Sequence, residues 1–71
     1  MAAPERIAII GLGLIGGSLA LALRRARREV FLAGIDVDPR ARQQATEEHA
    51  VDTASTLETA ALDEFDTVVL C

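Results

Sequence analysis

The sequence predicts an α/β fold built on a parallel sheet. Short apolar runs rich in β-branched residues stand at Arg6–Ile10, Val30–Ile35 and Thr67–Cys71, a pattern typical of strands covered on both faces. Segments with helical spacing or helix-start chemistry separate these runs, and glycines cluster at the first strand-to-helix junction. Such alternation implies βαβ units with right-handed crossovers.

The first run ends at Gly11, which closes the first strand. From Leu14 to Arg28, the residues Ile15, Leu19, Ala22, Leu23 and Ala26 follow helical spacing, and arginines end the segment. Val30 to Ile35 returns to a strand, broken by Gly34 and stopped by Asp36. Asp38-Pro39 then opens a second helix, with Asp38 as N-cap and Pro39 at the first helical position, running to about Glu48. Val51 to Ala54 reads as a short strand. Ser55-Thr-Leu-Glu58 has the form of a capping box, which predicts a short third helix to about Leu62. Thr67–Cys71 is the last strand. The expected spatial order is third, second, first, fourth, with the first strand central. The fourth strand, apolar and uncovered at the edge, is a self-association hazard. The alternation stops at a strand with no closing helix, so residues 1–71 are expected to be the first part of a larger domain.

With 71 residues, 51% hydrophobic and 25% charged, the chain reads as globular rather than disordered. A chain this short buries only about 60% of its unfolded surface, so its core is marginal. The formal net charge of −4 and the absence of Trp and Tyr argue against a nucleic-acid partner, which needs a basic surface or stacking platforms. One cysteine, Cys71, and one histidine, His49, make neither an internal disulfide nor a zinc cluster. The seven basic residues are all arginine, so lysine chemistry is not available. Arg24, Arg25, Arg27 and Arg28 read as the solvated last turn of a helix, favoured by its dipole. The uncharged run Ile7–Leu23 is too short and too glycine-rich for a membrane span. Its positive charges follow it rather than precede it, unlike a signal peptide. A cytoplasmic location is the expectation.

The chemistry lies in the glycines. Gly11, Gly13 and Gly16 form G-x-G-x-x-G at the end of a strand and the start of a helix, inside a βαβ unit. In that setting Gly11 allows the tight turn, Gly13 lets the backbone approach a pyrophosphate, and Gly16 lets helix and strand pack closely. Leu12 lies within the turn, and the N–H groups around Leu14 and Ile15 would point from the helix N-terminus at the phosphates. Asp36 ends the second strand twenty positions past Gly16, where an acid accepts the adenosine ribose hydroxyls. Together these features predict the first half of a Rossmann-type doubly wound sheet and a dinucleotide cofactor. Asp36 and Asp38 would repel a 2′-phosphate, so NAD is expected in preference to NADP, while Arg40, just after the second strand, can pair with that phosphate. Ser18 is expected to pack, His49 to lie on the surface at a helix end, and Cys71 to be a small buried hydrophobe. No catalytic residue and no metal ligand set is visible.

At these residues the sequence resembles the opening of prephenate and arogenate dehydrogenases. The string IAIIGLGLIGGSLALALR from Ile7 to Arg24 is similar to theirs, and Gly16-Gly17-Ser18-Leu19-Ala20 is more specific than the general fingerprint. Gly34-Ile-Asp-Val-Asp-Pro39 with Arg40 and Ala45, the Val51-Asp52 pair, Ser55–Glu58 and Phe65–Cys71 follow in the same order, so the similarity spans the chain. It implies oxidative decarboxylation of prephenate (or arogenate), with the hydride passed to nicotinamide, in tyrosine biosynthesis. Gly11, Gly13, Gly16 and Asp36 take the family's cofactor roles. The family's catalytic histidine and substrate-binding arginine lie beyond Cys71, in a helical substrate and dimerisation domain, and the complete protein would be a homodimer. His49 falls where relatives often carry a glycine at a helix end. Two other readings stand beside this one: another NAD(P)-dependent hydroxyacid-type dehydrogenase, and a nucleotide-sensing Rossmann module without chemistry.

Overall fold

Four parallel strands form the sheet of the computed structural model, which describes residues 3–27 and 29–71. In chain order they are β1 (Arg6–Ile10), β2 (Phe31–Ile35), β3 (Thr53–Ser55) and β4 (Thr67–Leu70), arranged β3-β2-β1-β4. The first strand is therefore central, with Ala8 facing Ala33 on one side and Val68 on the other. This is the expected strand order of half a doubly wound sheet.

Helices α1 (Leu14–Ala26) and α2 (Pro39–Glu47) make the first two crossovers. Both cover the same face of the sheet, since Ala20 and Ala45 share a buried cluster with Ile7, Ile9 and Leu32. The face of α1 that packs takes in only part of the expected set, Leu19 and Leu23, which are half-buried. Gly16 and Ala20 are its buried positions, while Ile15 is 75% exposed and Ala22 and Ala26 are exposed. A helix apolar all round carries no polar side to mark its outside. Its rotation is set by the small residues, which allow the closest approach to the sheet. The expected end at Arg28 lies outside the described residues.

Helix α2 forms as its sequence dictates. The Asp38 carboxylate accepts from the Arg40 N–H at 2.9 Å, and Pro39 fills the first turn. Beyond it His49 takes a left-handed conformation, φ 58°, and the Ala50 N–H returns to the Ala45 carbonyl at 2.9 Å. This is the position where glycine costs least. His49 is exposed at the helix end, as expected.

Two short elements depart from the sequence reading. Strand β3 begins at Thr53 rather than Val51, because Val51 turns into the core and Asp52 closes the ladder. The Asp52 N–H donates to the Leu32 carbonyl at 2.8 Å, and its Oδ2 accepts the Leu32 N–H at 2.8 Å. The predicted third helix is replaced by two 3-10 turns, Leu57–Thr59 and Leu62–Glu64. Ser55 is taken into β3 opposite Ile35, so its hydroxyl caps nothing. Thr56 becomes the cap position, and the Thr59 N–H and hydroxyl both donate to the Thr56 carbonyl.

The arginine cluster is not simply solvated. Arg24 Nη2 lies 2.6 Å from Asp52 Oδ2, and its Nη1 donates to the Val30 carbonyl at 2.9 Å. Arg27 pairs with Glu5. At the same end of the sheet, Arg6 lies over the Phe31 and Phe65 rings at 4.4 and 5.1 Å. Its N–H and carbonyl both bond Asp66, each at 2.8 Å. Cys71, expected to be buried, is exposed; among the described residues β4 pairs with β1 alone. Leu70 beside it is 81% exposed. Among the described residues no helix is long and apolar enough to cross a membrane.

Candidate functional site

The C-terminal ends of β1 and β2 meet at the glycine turn. Gly11 has φ +98°, a conformation that L side chains rarely adopt, and a Cβ there would stand 2.7 Å from the Cys71 carbonyl oxygen. The turn out of β1 therefore depends on glycine. Gly16 depends on it for another reason: a Cβ would overlap the Gly11 carbonyl and touch Ile9. These are the constraints expected of a tight turn and of close helix–strand contact.

Gly13 is different. Its backbone is extended, with φ −67° and ψ −161°, and a Cβ would meet nothing within 4 Å. Neither strain nor internal crowding accounts for a glycine there, so the open space beside it is a cradle that a side chain would fill. Gly13 is also the N-cap of α1, with no side-chain hydrogen bond, and the first turn carries no acidic residue. The leading N–H groups of the helix, including those of Leu14 and Ile15, thus present the positive end of the dipole without a carboxylate to meet it. Leu14 and Ile15 are themselves 88% and 75% exposed.

Asp36 stands beside this turn, partly buried at the end of β2. Its Oδ2 accepts the Leu12 N–H at 2.7 Å and its Oδ1 accepts the Asp38 N–H at 2.9 Å. The Asp38 and Leu12 N–H groups hold the carboxyl below its usual 3.8, burial works against them, and the nearby Arg42 guanidinium adds to the lowering. Asp36 is therefore an anion fixed in place, with lone pairs left to accept further hydrogen bonds. The bond from the Leu12 N–H to Asp36 was not legible in the sequence. Arg42 Nη1 donates to the Asp36 carbonyl at 2.7 Å, which anchors the β2-to-α2 turn from below. Val37, between the two acids, is 85% exposed.

A cavity of about 510 Å³ opens from the glycine turn between α1 and α2, lined in part by Gly13, Ser18, Asp38 and Arg40. Ser18 is exposed in it rather than packed, since Gly16 and Ala20 take the inward positions of α1. Gly11, Leu12, Gly13, Leu14, Asp36 and Arg40 are thus gathered at one end of the sheet. His49 is not, since it follows the far end of the nine-residue α2, about 13 Å along the helix axis from Asp38. The donor set of this end, backbone N–H groups with a cradle and a fixed carboxylate, fits a dinucleotide diphosphate and ribose.

Residues 6–71 match the family model described as NADP oxidoreductase, coenzyme F420-dependent. The chain belongs to this family. Among solved structures, this member of the F420-dependent NADP oxidoreductase family is similar to prephenate dehydrogenase from A. aeolicus, determined in complex with hydroxyphenyl propionate and NAD+, with 30% sequence identity and a TM-score of 0.79. The alignment covers 97% of this chain and 24% of that one, so the chain spans about a quarter of its neighbour's length. No curated protein matches the sequence. The fold, the family and the neighbour together make the chain an NAD(P)-binding Rossmann domain of oxidoreductase type.

Proposed function

We propose that the chain is the N-terminal cofactor-binding part of a prephenate or arogenate dehydrogenase, and that it takes NAD in preference to NADP. The observation that carries this reading is the Asp36 carboxylate, held as an anion by two backbone N–H groups beside a turn whose middle glycine opens a cradle. Gly13 and the Leu14 and Ile15 N–H groups hold the diphosphate, Gly11 and Gly16 shape the turn that presents them, and Asp36 accepts the adenosine ribose hydroxyls. When bound, the nicotinamide supplies hydride acceptance. The likeness to the A. aeolicus enzyme supports prephenate or arogenate as substrate. The general base and the cation for the substrate carboxylates come from sequence beyond Cys71. These 71 residues alone bind at most a cofactor half-site and turn over nothing, because aligned hydride transfer needs both partners held about 3–3.5 Å apart.

The specific rival is NADP, favoured by the family description and by Arg40, which lines the cavity beside Gly13. Calorimetric titration of the full-length protein separates them. NAD should bind tighter than NADP by roughly tenfold to a hundredfold, about 1.4–2.7 kcal/mol, because Asp36 and Asp38 meet the 2′-phosphate with like charge. Tighter NADP binding would show that Arg40 prevails over Asp36 and Asp38. Steady-state NADH formation from prephenate and from arogenate then tests the substrate, and activity on 3-hydroxy acids alone would overturn it.

A further inference from the structure

Three contacts register the glycine turn against β2. The Gly11 N–H donates to the Ile35 carbonyl at 2.7 Å, and the Leu12 N–H donates to Asp36 Oδ2 at 2.7 Å. The third contact is made by the Leu12 side chain, only 6% exposed and part of the core cluster. It fills the space over Gly34: a Cβ built there would lie 2.6 Å from Leu12 Cδ1, 2.8 Å from Cδ2 and 3.1 Å from Cγ. Gly34 sits in mid-strand with no unusual backbone conformation, so turn geometry does not call for it. The Leu12 side chain does.

We infer that Gly34 and Leu12 form a size-matched latch that sets the spacing between the diphosphate turn and the ribose acid. Gly34 is thereby a positioning residue for the cofactor that it does not touch. Gly34 lies in β2 and Asp36 follows the last residue of that strand. Leu12 reaches both, Gly34 with its side chain and Asp36 with its N–H. A methyl at Gly34 forces Leu12 to shift, because Cδ1, Cδ2 and Cγ of Leu12 would all stand within 3.1 Å of it. The turn then lifts away from β2 while Asp36 stays with its strand. A ligand that spans both subsites loses its fit, and one that uses the acid alone does not.

This inference rests on the dinucleotide reading above, and the experiment keeps the two apart. The full-length protein and its Gly34→Ala, Leu12→Ala and Gly34→Ala/Leu12→Ala variants are titrated with NAD by calorimetry. They are also titrated with adenosine, which carries no phosphate, by NMR. Gly34→Ala should weaken NAD by about tenfold, equal to about 1.4 kcal/mol, with adenosine little changed. In the Leu12→Ala background the same Gly34→Ala change should cost almost nothing, the non-additivity of residues in contact. NAD binding unchanged in Gly34→Ala would overturn the latch, since Leu12 would then have moved without the turn. Equal loss of NAD and adenosine, or strict additivity, would overturn it as well. Should Gly34→Ala fail to fold, hydrogen exchange of the Gly11 amide in Leu12→Ala decides: faster exchange than wild type supports the latch, and unchanged protection refutes it. Wild-type protein that binds neither ligand refutes the dinucleotide reading instead, and the Gly11 exchange then tests the latch without it.

Discussion

Replacing Gly13 by alanine should leave the free protein unharmed and remove its response to cofactor. The added Cβ meets nothing within 4 Å, and the extended backbone at Gly13, φ −67° and ψ −161°, suits any L residue. Reduced freedom of the unfolded chain favours alanine by about 0.4–1 kcal/mol. The poorer N-cap preference of alanine opposes this by a similar amount, roughly 0.5–1 kcal/mol. The two effects cancel, so the melting temperature without ligand should barely move. With NAD at a hundred times Kd, wild type gains about 2.7 kcal/mol. A hundredfold loss of affinity in Gly13→Ala would leave about 0.4 kcal/mol at the same concentration. Thermal melts of the full-length protein with and without NAD read both quantities at once. Gly16→Ala is the contrast, since its Cβ overlaps the Gly11 carbonyl and should lower stability whether or not cofactor is present. The reasoning fails if Gly13→Ala keeps the NAD-dependent shift, or if the free variant melts as early as Gly16→Ala.

Asp52→Ala removes the acceptor of both Arg24 and the Leu32 N–H and should destabilise by about 1–3 kcal/mol, read by urea denaturation. For Asp52, burial raises the carboxyl pKa, but the Leu32 N–H and Arg24 lower it further, so the net shift is downward from 3.8; Asp36 is lowered too. Both groups therefore add stability above their unfolded values that is lost as pH falls below 3.8 through the folded values. Acid titration of the Asp52→Asn variant should show a shallower loss than wild type over that range. His49→Gly relieves a left-handed residue at φ 58° and should raise stability by about 1 kcal/mol; no rise in melting temperature would count against strain at that position.

The fold was legible where local chemistry and long-range packing agree. β1, α2 and β2 follow from their runs, their cap and their stop residues, and the strand order follows from the alternation. What could not be read were contacts between residues far apart in sequence. Ser55 and Glu58 spell a capping box, yet Ser55 is claimed by pairing with Ile35, and a strand ladder outweighs a single cap. Arg24 looks like one of a solvated cluster until the fold sets it 2.6 Å from Asp52, twenty-eight positions away. The rotation of α1 was hidden because its apolar residues encircle the helix. At the site, the placing of the glycines at the β1-to-α1 turn and of Asp36 just after β2 was legible from their spacing within the strand–helix alternation. The bond from Leu12 to Asp36 was not, and neither was the fit of Leu12 over Gly34, because each joins β2 to a turn two dozen residues earlier. Gly34 itself looked like an interruption of β2; in the fold it is where β2 admits its neighbour.

The bonding of Arg6 to Asp66, residues sixty positions apart, has a kinetic consequence. During synthesis β1 is made first, and its pairing with β2 can follow once Phe31–Ile35 has emerged. Its other flank has no partner until Thr67–Leu70 appears. The central strand thus keeps one open edge until Thr67–Leu70 has been made. Closure of β4 onto β1 is the most distant pairing in the sheet, and distant pairings form slowly. The ring pair Phe31–Phe65 and the Arg6 guanidinium over it can assemble only at that step. Residues sixty positions apart therefore lock together, and vectorial synthesis leaves Ile7–Ile10 dependent on protection from other chains until they do.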